Sequence, residues 1–198
     1  DDYVSGTVFQ EFYSLDDDVT ANGTIPTSLA GNDTEMYFGS GESFKVSLTD
    51  VNGTALSNES VIFTINANNY TRTTDVNGTA SIKINLNSGS YNVTSYFAGT
   101  DIYSSSNTSN VINVLSTISG DDIEKFYKND TQYYATFKDS SGNLLVDTNV
   151  TFNINGVYYE RKTNEKGTAR LNINLNSGKY ILTAINPANG EMHSNNDD

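Results

Sequence analysis

Apolar and polar residues alternate with a period of two through much of this chain. In "SFKVSLT" (Ser43–Thr49), Phe44, Val46 and Leu48 share one face, and Lys45 and Ser47 take the other. "VIFTIN" aligns Val61, Phe63 and Ile65. "ASIKINL" aligns Ala80, Ile82, Ile84 and Leu86, and "SYNVTS" aligns Tyr91 and Val93. A period of two marks half-buried strands, and no helical spacing competes with it. The pattern predicts seven strands in the first part of the chain, near 27–38, 43–49, 60–66, 69–74, 79–86, 90–97 and 109–115.

Turn chemistry separates these runs. "DVNG" occurs at Asp50–Gly53 and again at Asp75–Gly78, "DSSG" at Asp139–Gly142, and "NSG" at Asn87–Gly89 and Asn176–Gly178. Asp or Asn stands early, where its side chain bonds backbone N–H groups, and Gly stands late, where φ turns positive. Tyr91, just after Gly89, holds the position of a tyrosine corner or of a plain core aromatic.

"IKINLNSGSY" (Ile82–Tyr91) and "LNINLNSGKY" (Leu171–Tyr180) nearly coincide, 89 residues apart. The same shift, without gaps, lays Asp50 on Asp139, Gly53 on Gly142, Phe63 on Phe152 and Arg72 on Arg161. A period near 90 is too long for a solenoid or a propeller blade and suits one β-sandwich domain. The expected organisation is a segment over 1–24, one module over 25–115 and a second over 116–198. The last strand of the first module, ending at Leu115, has its counterpart near residue 200, past Asp198. The second module is therefore expected to lack that strand. "YVSGTVFQEFY" (Tyr3–Tyr13) is a candidate to fill the slot.

Composition narrows the role. Aromatic residues make up 11% of the 198 residues, too many for a disordered chain. The net charge of −13 excludes the basic footprint that nucleic acid or anionic lipid requires. Cysteine is absent, so there is no disulfide frame. No apolar run approaches membrane-spanning length. Ten N-x-S/T sequons stand at Asn22, Asn32, Asn52, Asn58, Asn69, Asn77, Asn92, Asn107, Asn129 and Asn149. They point to an extracellular, cell-surface glycoprotein, or follow by chance from Asn/Thr richness.

The frame "LTDVNGTALSNESVIFTIN…YTRTTDVNGTASIKINLNSGSYNVTSY" resembles the immunoglobulin-like, invasin/intimin-type repeats of microbial surface proteins. The Asn/Thr-rich "TNVTFNINGVYYERKTNEKGTARLNINLNSGKYILTAINP" looks most like adhesin-like proteins of methanogenic archaea. The resemblance covers residues 25–198. It implies an all-β fold of two tandem immunoglobulin-like antiparallel β-sandwiches.

Little in the sequence offers catalysis. The only histidine, His193, lies in a polar tail, and no nucleophile–base, P-loop or metalloprotease motif occurs, so no enzyme is expected. A Lys–Asn isopeptide crosslink needs an inward Lys, whereas Lys45 alternates outward. Calcium is the metal candidate, because it takes oxygen ligands. In an immunoglobulin-like topology Asp50, Asp75 and Asp101 gather at one pole with Asp33 nearby, against the plainer reading that each Asp forms its own turn. Tyr158 and Tyr159 fall on opposite faces of one strand and are candidates to stack on sugar or protein.

The expected function is a structural, adhesive repeat region of a cell-surface adhesin, spacing or presenting a binding tip. The alternative is a module that itself binds glycans or proteins of another cell. Expected partners are surface glycans or proteins and neighbouring modules, with no nucleic acid and no membrane insertion.

Overall fold

The computed structural model describes residues 23–194, so Asn22, Tyr3–Tyr13 and most of the 1–24 segment lie outside the described residues. Every regular element among the described residues is a β-strand. The first sandwich contains β1 (Thr27–Gly31), β2 (Thr34–Tyr37), β3 (Ser43–Asp50), β4 (Ser60–Ile65), β5 (Asn68–Thr73), β6 (Thr79–Lys83), β7 (Gly89–Phe97) and β8 (Ser106–Leu115). They form a three-stranded sheet, β1-β3-β6, facing a five-stranded sheet, β2-β8-β7-β4-β5.

The inward faces named from the sequence form the core between these sheets. Phe44, Leu48, Val61, Phe63, Ala80 and Val93 are fully buried. Phe44 meets Phe63 edge-on with ring centroids 5.9 Å apart. Edge-to-face contact places the positive rim of one ring on the negative face of the other.

The expected first strand, 27–38, is in fact two. β1 pairs antiparallel with β3, and β2 crosses to the other sheet and runs parallel to β8. The sandwich is thus antiparallel except for this pair. The crossing is fixed locally. Asn110 Nδ2 donates to Gly31 O at 3.0 Å, and the Asp33 carboxylate accepts from Val111 N at 2.8 Å. A Cβ on Gly31 would lie 2.8 Å from Asn110 Oδ1 and 2.9 Å from Val46, so glycine is required by close packing.

The second sandwich contains β9 (Ile118–Ser119), β10 (Gln132–Phe137), β11 (Asn149–Ile154), β12 (Val157–Lys162), β13 (Thr168–Asn172), β14 (Leu182–Ile185) and β15 (Met192–Ser194). Its sheets are β13-β10-β9 and β12-β11-β14-β15. The second core is separate and is built from Ile118, Tyr133, Phe137, Val150, Phe152, Leu171 and Leu182 among others. Phe152 meets Tyr133 and Phe137 edge-on at 5.8 and 6.0 Å. The fold class is therefore all-β and immunoglobulin-like.

Both sandwiches carry a tyrosine corner. Tyr91 Oη donates to Asn87 O at 2.8 Å, and Tyr180 Oη donates to Asn176 O at 3.0 Å. The returning strand of the second sandwich differs from expectation. It starts at Met192 rather than near residue 200, and pairs Ser194 with Thr183. The turn before it is tight: Asn186 N donates to Glu191 O, and Gly190 N to Asn186 O, both at 2.8 Å. In the first sandwich the chain instead travels from Phe97 to Ser106 before pairing resumes.

Candidate functional site

The two sandwiches meet through a buried polar joint. β8 passes through Ser116 and Thr117 directly into β9. Thr117 is 1% exposed and Glu191 4%. One Glu191 carboxylate oxygen accepts from Thr117 N at 2.6 Å and from Thr117 Oγ1 at 2.5 Å. The same hydroxyl accepts from Asn186 Nδ2 at 2.8 Å and Asn189 Nδ2 at 3.0 Å. Buried polar groups left unpaired are costly, so these bonds define one arrangement of the linker. From the first sandwich, Tyr37 lies against Gly142, where an added Cβ would be 2.4 Å from its ring. Lys138 Nζ sits 5.3 Å from the Tyr37 ring centre and 3.3 Å from its hydroxyl. The sequence offered no pointer to this joint: Glu191 stands in an ordinary polar stretch, and its partners lie far away along the chain.

At the opposite end of the second sandwich lies an open cleft of about 660 Å³. Its walls include Ile123, Tyr133, Ile154, Ile173, Leu175 and Tyr180. The corresponding place in the first sandwich is filled by Ile112 and Val114 of β8, which are 0% and 5% exposed. There β8 bridges β2 on one side and Gly89–Val93 of β7 on the other. In the second sandwich the described part of β15 covers Met192–Ser194. Residues 178–181 and 121–126 then carry no strand pairing, although Gly89–Val93 and Thr34–Tyr37 do in the first. Tyr133, itself fully buried, has a hydroxyl with no hydrogen-bond partner. Burial, then the Asp122 and Asp121 carboxylates, push its pKa above the ordinary 10.0.

The four aspartates named from the sequence do not form one site. Asp50 Oδ1 accepts from Asn52 N and Thr54 N, at 2.9 and 2.8 Å. Asp75 Oδ1 accepts from Asn77 N and Thr79 N, both at 2.9 Å. Asp33 caps the crossing described above, and Asp101 is exposed in the β7–β8 turn. Register separates Asp33 from Asp50: Thr27 pairs with Asp50, and Asp33 lies six residues further along. At about 3.3 Å per strand residue that is roughly 20 Å, against calcium–oxygen distances near 2.4 Å. Among the described residues no group of three or more His, Cys, Asp or Glu is placed to hold a metal ion.

Tyr158 is 68% exposed on the edge strand β12, whereas Tyr159 packs against the second core under Arg161, 5.8 Å from ring to guanidinium carbon. Only Tyr158 of the pair is thus free to meet a partner face-on. Sequon residues Asn32, Asn52, Asn58, Asn69, Asn77, Asn92, Asn107, Asn129 and Asn149 are all exposed. Lys45 and Tyr134 are exposed as the alternation placed them. No helix among the described residues is long and apolar enough to cross a membrane.

The macroglobulin domain MG4 family matches residues 32–112, under half of the chain. No curated protein matches. Among solved structures, a 1.5-MDa bacterial ice-binding adhesin is 17% identical, with a TM-score of 0.34 over 86% of this chain and 62% of that one. Invasin, a bacterial integrin-binding protein, is 18% identical, with a TM-score of 0.33 over 86% of this chain and 38% of that one. The Yersinia pseudotuberculosis adhesin InvE is 16% identical, with a TM-score of 0.30 over 85% and 56%. The chain thus spans less than two thirds of the length of each of these three. These are distant likenesses of fold.

Proposed function

We propose that this chain is a spacing segment of a cell-surface adhesin-like protein, holding a binding tip away from its cell. In this reading the modules act mechanically, and the chain is not an enzyme. The observation that carries it is the joint: Thr117, Glu191, Asn186 and Asn189 form a network that fixes the linker on the second sandwich, and Asn189, donating to Phe38 O at 3.4 Å, and Tyr37, against Gly142 and Lys138, hold it to the first. A spacer transmits reach only if its modules are fixed relative to one another, and exposed flexible linkers do not do this. The exposed sequon asparagines suit an extracellular, glycan-bearing surface, and the Asn/Thr-rich stretches resemble adhesin-like proteins of methanogenic archaea. Small-angle scattering tests the reading. A single extended arrangement should fit the profile, and scattering that needs an ensemble of inter-module angles would overturn it.

A second reading has one observation behind it. Exposed Tyr158, with Val157 beside it on an edge strand, offers a surface to surface glycans or proteins of another cell. A glycan array and whole-cell binding screen, with Tyr158→Ala as control, decides for it if binding appears and the variant loses it.

A further inference from the structure

Three sequons of the first sandwich stand on one side of one sheet. We propose that the outward face of the five-stranded sheet is a glycosylation face, with sugar chains joined to Asn69 on β5, Asn92 on β7 and Asn107 on β8. The inference rests on the extracellular, glycan-bearing part of the proposed function and says which surface bears the glycans. It does not depend on the spacer role.

Strand register brings the three together. Phe63 is fully buried, so its neighbours Ile62 and Thr64 point out of the sandwich. Thr64 lies opposite Asn69 on β5 and Thr94 on β7, and Thr94 lies opposite Ser109 on β8. Ile62 lies opposite Thr71 and Tyr96, and Tyr96 lies opposite Asn107. Directly opposed residues of an antiparallel pair share a face. Residues i and i+2 of one strand also point the same way. Each sequon therefore sets both its Asn and its hydroxyl residue (Thr71, Thr94 or Ser109) on the outer face. All six of these residues are exposed. With about 4.8 Å between strands and about 3.4 Å per residue, the three asparagines stand roughly 12 to 16 Å apart. That is wider than a sugar ring, so three chains attach side by side and cover the face between them.

The bonding of the amides separates these asparagines from the ones that the fold uses. Among the described residues, the asparagines that donate through Nδ2 are Asn68, Asn110, Asn143, Asn186 and Asn189. None of them stands in a sequon. Asn110 holds the strand crossing, and Asn186 and Asn189 hold the joint. Asn69 is held by its other atom: Thr64 Oγ1 donates to Asn69 Oδ1 at 2.7 Å, which fixes the amide and leaves Nδ2 without a partner. Sugar attaches at Nδ2, so attachment costs the fold no hydrogen bond. Chance occurrence in an Asn- and Thr-rich chain gives no reason for this sorting.

The reaction takes a sugar activated as a lipid-linked phosphate ester, delivered by a transferase of the cell. Nδ2 bonds to the anomeric carbon as the bond from that carbon to the phosphate oxygen breaks. The lipid leaves with its phosphate, and the amide gives up one proton. Oδ1 stays a carbonyl acceptor, so the bond from Thr64 survives. The 89-residue shift lays Asn69 on Tyr158 and Asn92 on Ile181. The second sandwich thus has no sequon at those two places, and Tyr158 stands bare where the first sandwich bears a glycan.

The test is glycopeptide mass spectrometry on the full chain purified from the cells that make it, with fragmentation that keeps the sugar on its residue. The expected result is added sugar mass on Asn69, Asn92 and Asn107. Thr71→Ala, Thr94→Ala and Ser109→Ala keep each Asn and lie outside both cores, and each should abolish the added mass at its own site alone. An unmodified amide at any of the three, with sugar on the turn sequons Asn52 and Asn77, overturns the proposal and leaves the glycan-bearing reading standing. Unmodified amides at every sequon overturn both. Added mass that survives the alanine variants also overturns the proposal, because the sugar then does not depend on the sequon. The spacer reading is judged separately, by scattering.

Discussion

Thr117 gives both its backbone N–H and its hydroxyl to a single oxygen of Glu191, 74 residues further along the chain. The contact ties the linker between sandwiches to the final turn of the second. Glu191→Ala would strand two buried donors, each costing on the order of 1–3 kcal/mol when unpaired. Urea unfolding should show a loss of that size in the second sandwich, and scattering should show a loosened joint. An unchanged midpoint would mean that water replaces the carboxylate at no cost.

The two cores centre on Phe63 and Phe152, both fully buried and both in edge-to-face contacts. Truncating either to alanine should destabilise its own sandwich by about 3–5 kcal/mol. Separate cores predict that each variant lowers one unfolding transition and leaves the other in place. Calorimetry of the two single variants checks this.

The β4–β5 hairpin turns at Asn66 and Ala67, with φ of +49° and +60°; its counterpart between β11 and β12 uses Asn155 and Gly156, at +53° and +79°. Such turns need positive φ at both central residues, and alanine is strained there. Ala67→Gly should therefore raise stability by about 1 kcal/mol, read as a higher melting temperature. A fall would show that the entropy of the glycine chain outweighs the relief of strain.

Two groups set the pH limits with opposite signs. The Tyr133 phenol is held above its ordinary pKa of 10.0 by burial first, then by Asp122 and Asp121. Its contribution is fully present below about pH 10 and is lost as pH rises through the folded value. The Asp139 carboxyl is held below its ordinary 3.8, first by the Asn143 side chain and then by backbone N–H groups of its turn. Its contribution is present above that value and is lost as pH falls through the lower folded one. Melting temperature should drop above pH 10, and Tyr133→Phe, which places the side chain of Phe44 in the second core, should make that drop shallower. Equal slopes would remove Tyr133 from the account.

Asp50 and Asp75 each have an oxygen committed to two backbone N–H groups, so their turns form without an ion. Millimolar Ca²⁺ should leave the melting curve where it stands. A rise that chelator reverses and that Asp50→Asn with Asp75→Asn abolishes would instead show a bound ion at this pole.

Local chemistry made most of the strands legible. Period-two alternation in "VIFTIN" and "ASIKINL" named the buried faces, because successive strand side chains must point opposite ways. Asp–x–x–Gly spacing named the turns, because an Asp oxygen reaches N–H groups two and four residues on, as at Asp139 and Asn164. The same logic left Tyr91 as a corner or a core aromatic, and its hydrogen bond to Asn87 O decides for the corner. Tertiary structure alone decided the rest. β1 and β2 read as one continuous run, and only Asn110 and Val111, nearly eighty residues on, divide them between sheets. The joint depends on Glu191 meeting Thr117, a pairing that no local pattern encodes. Alternation reports which way a side chain points. What it meets there is set by chain segments far away in sequence.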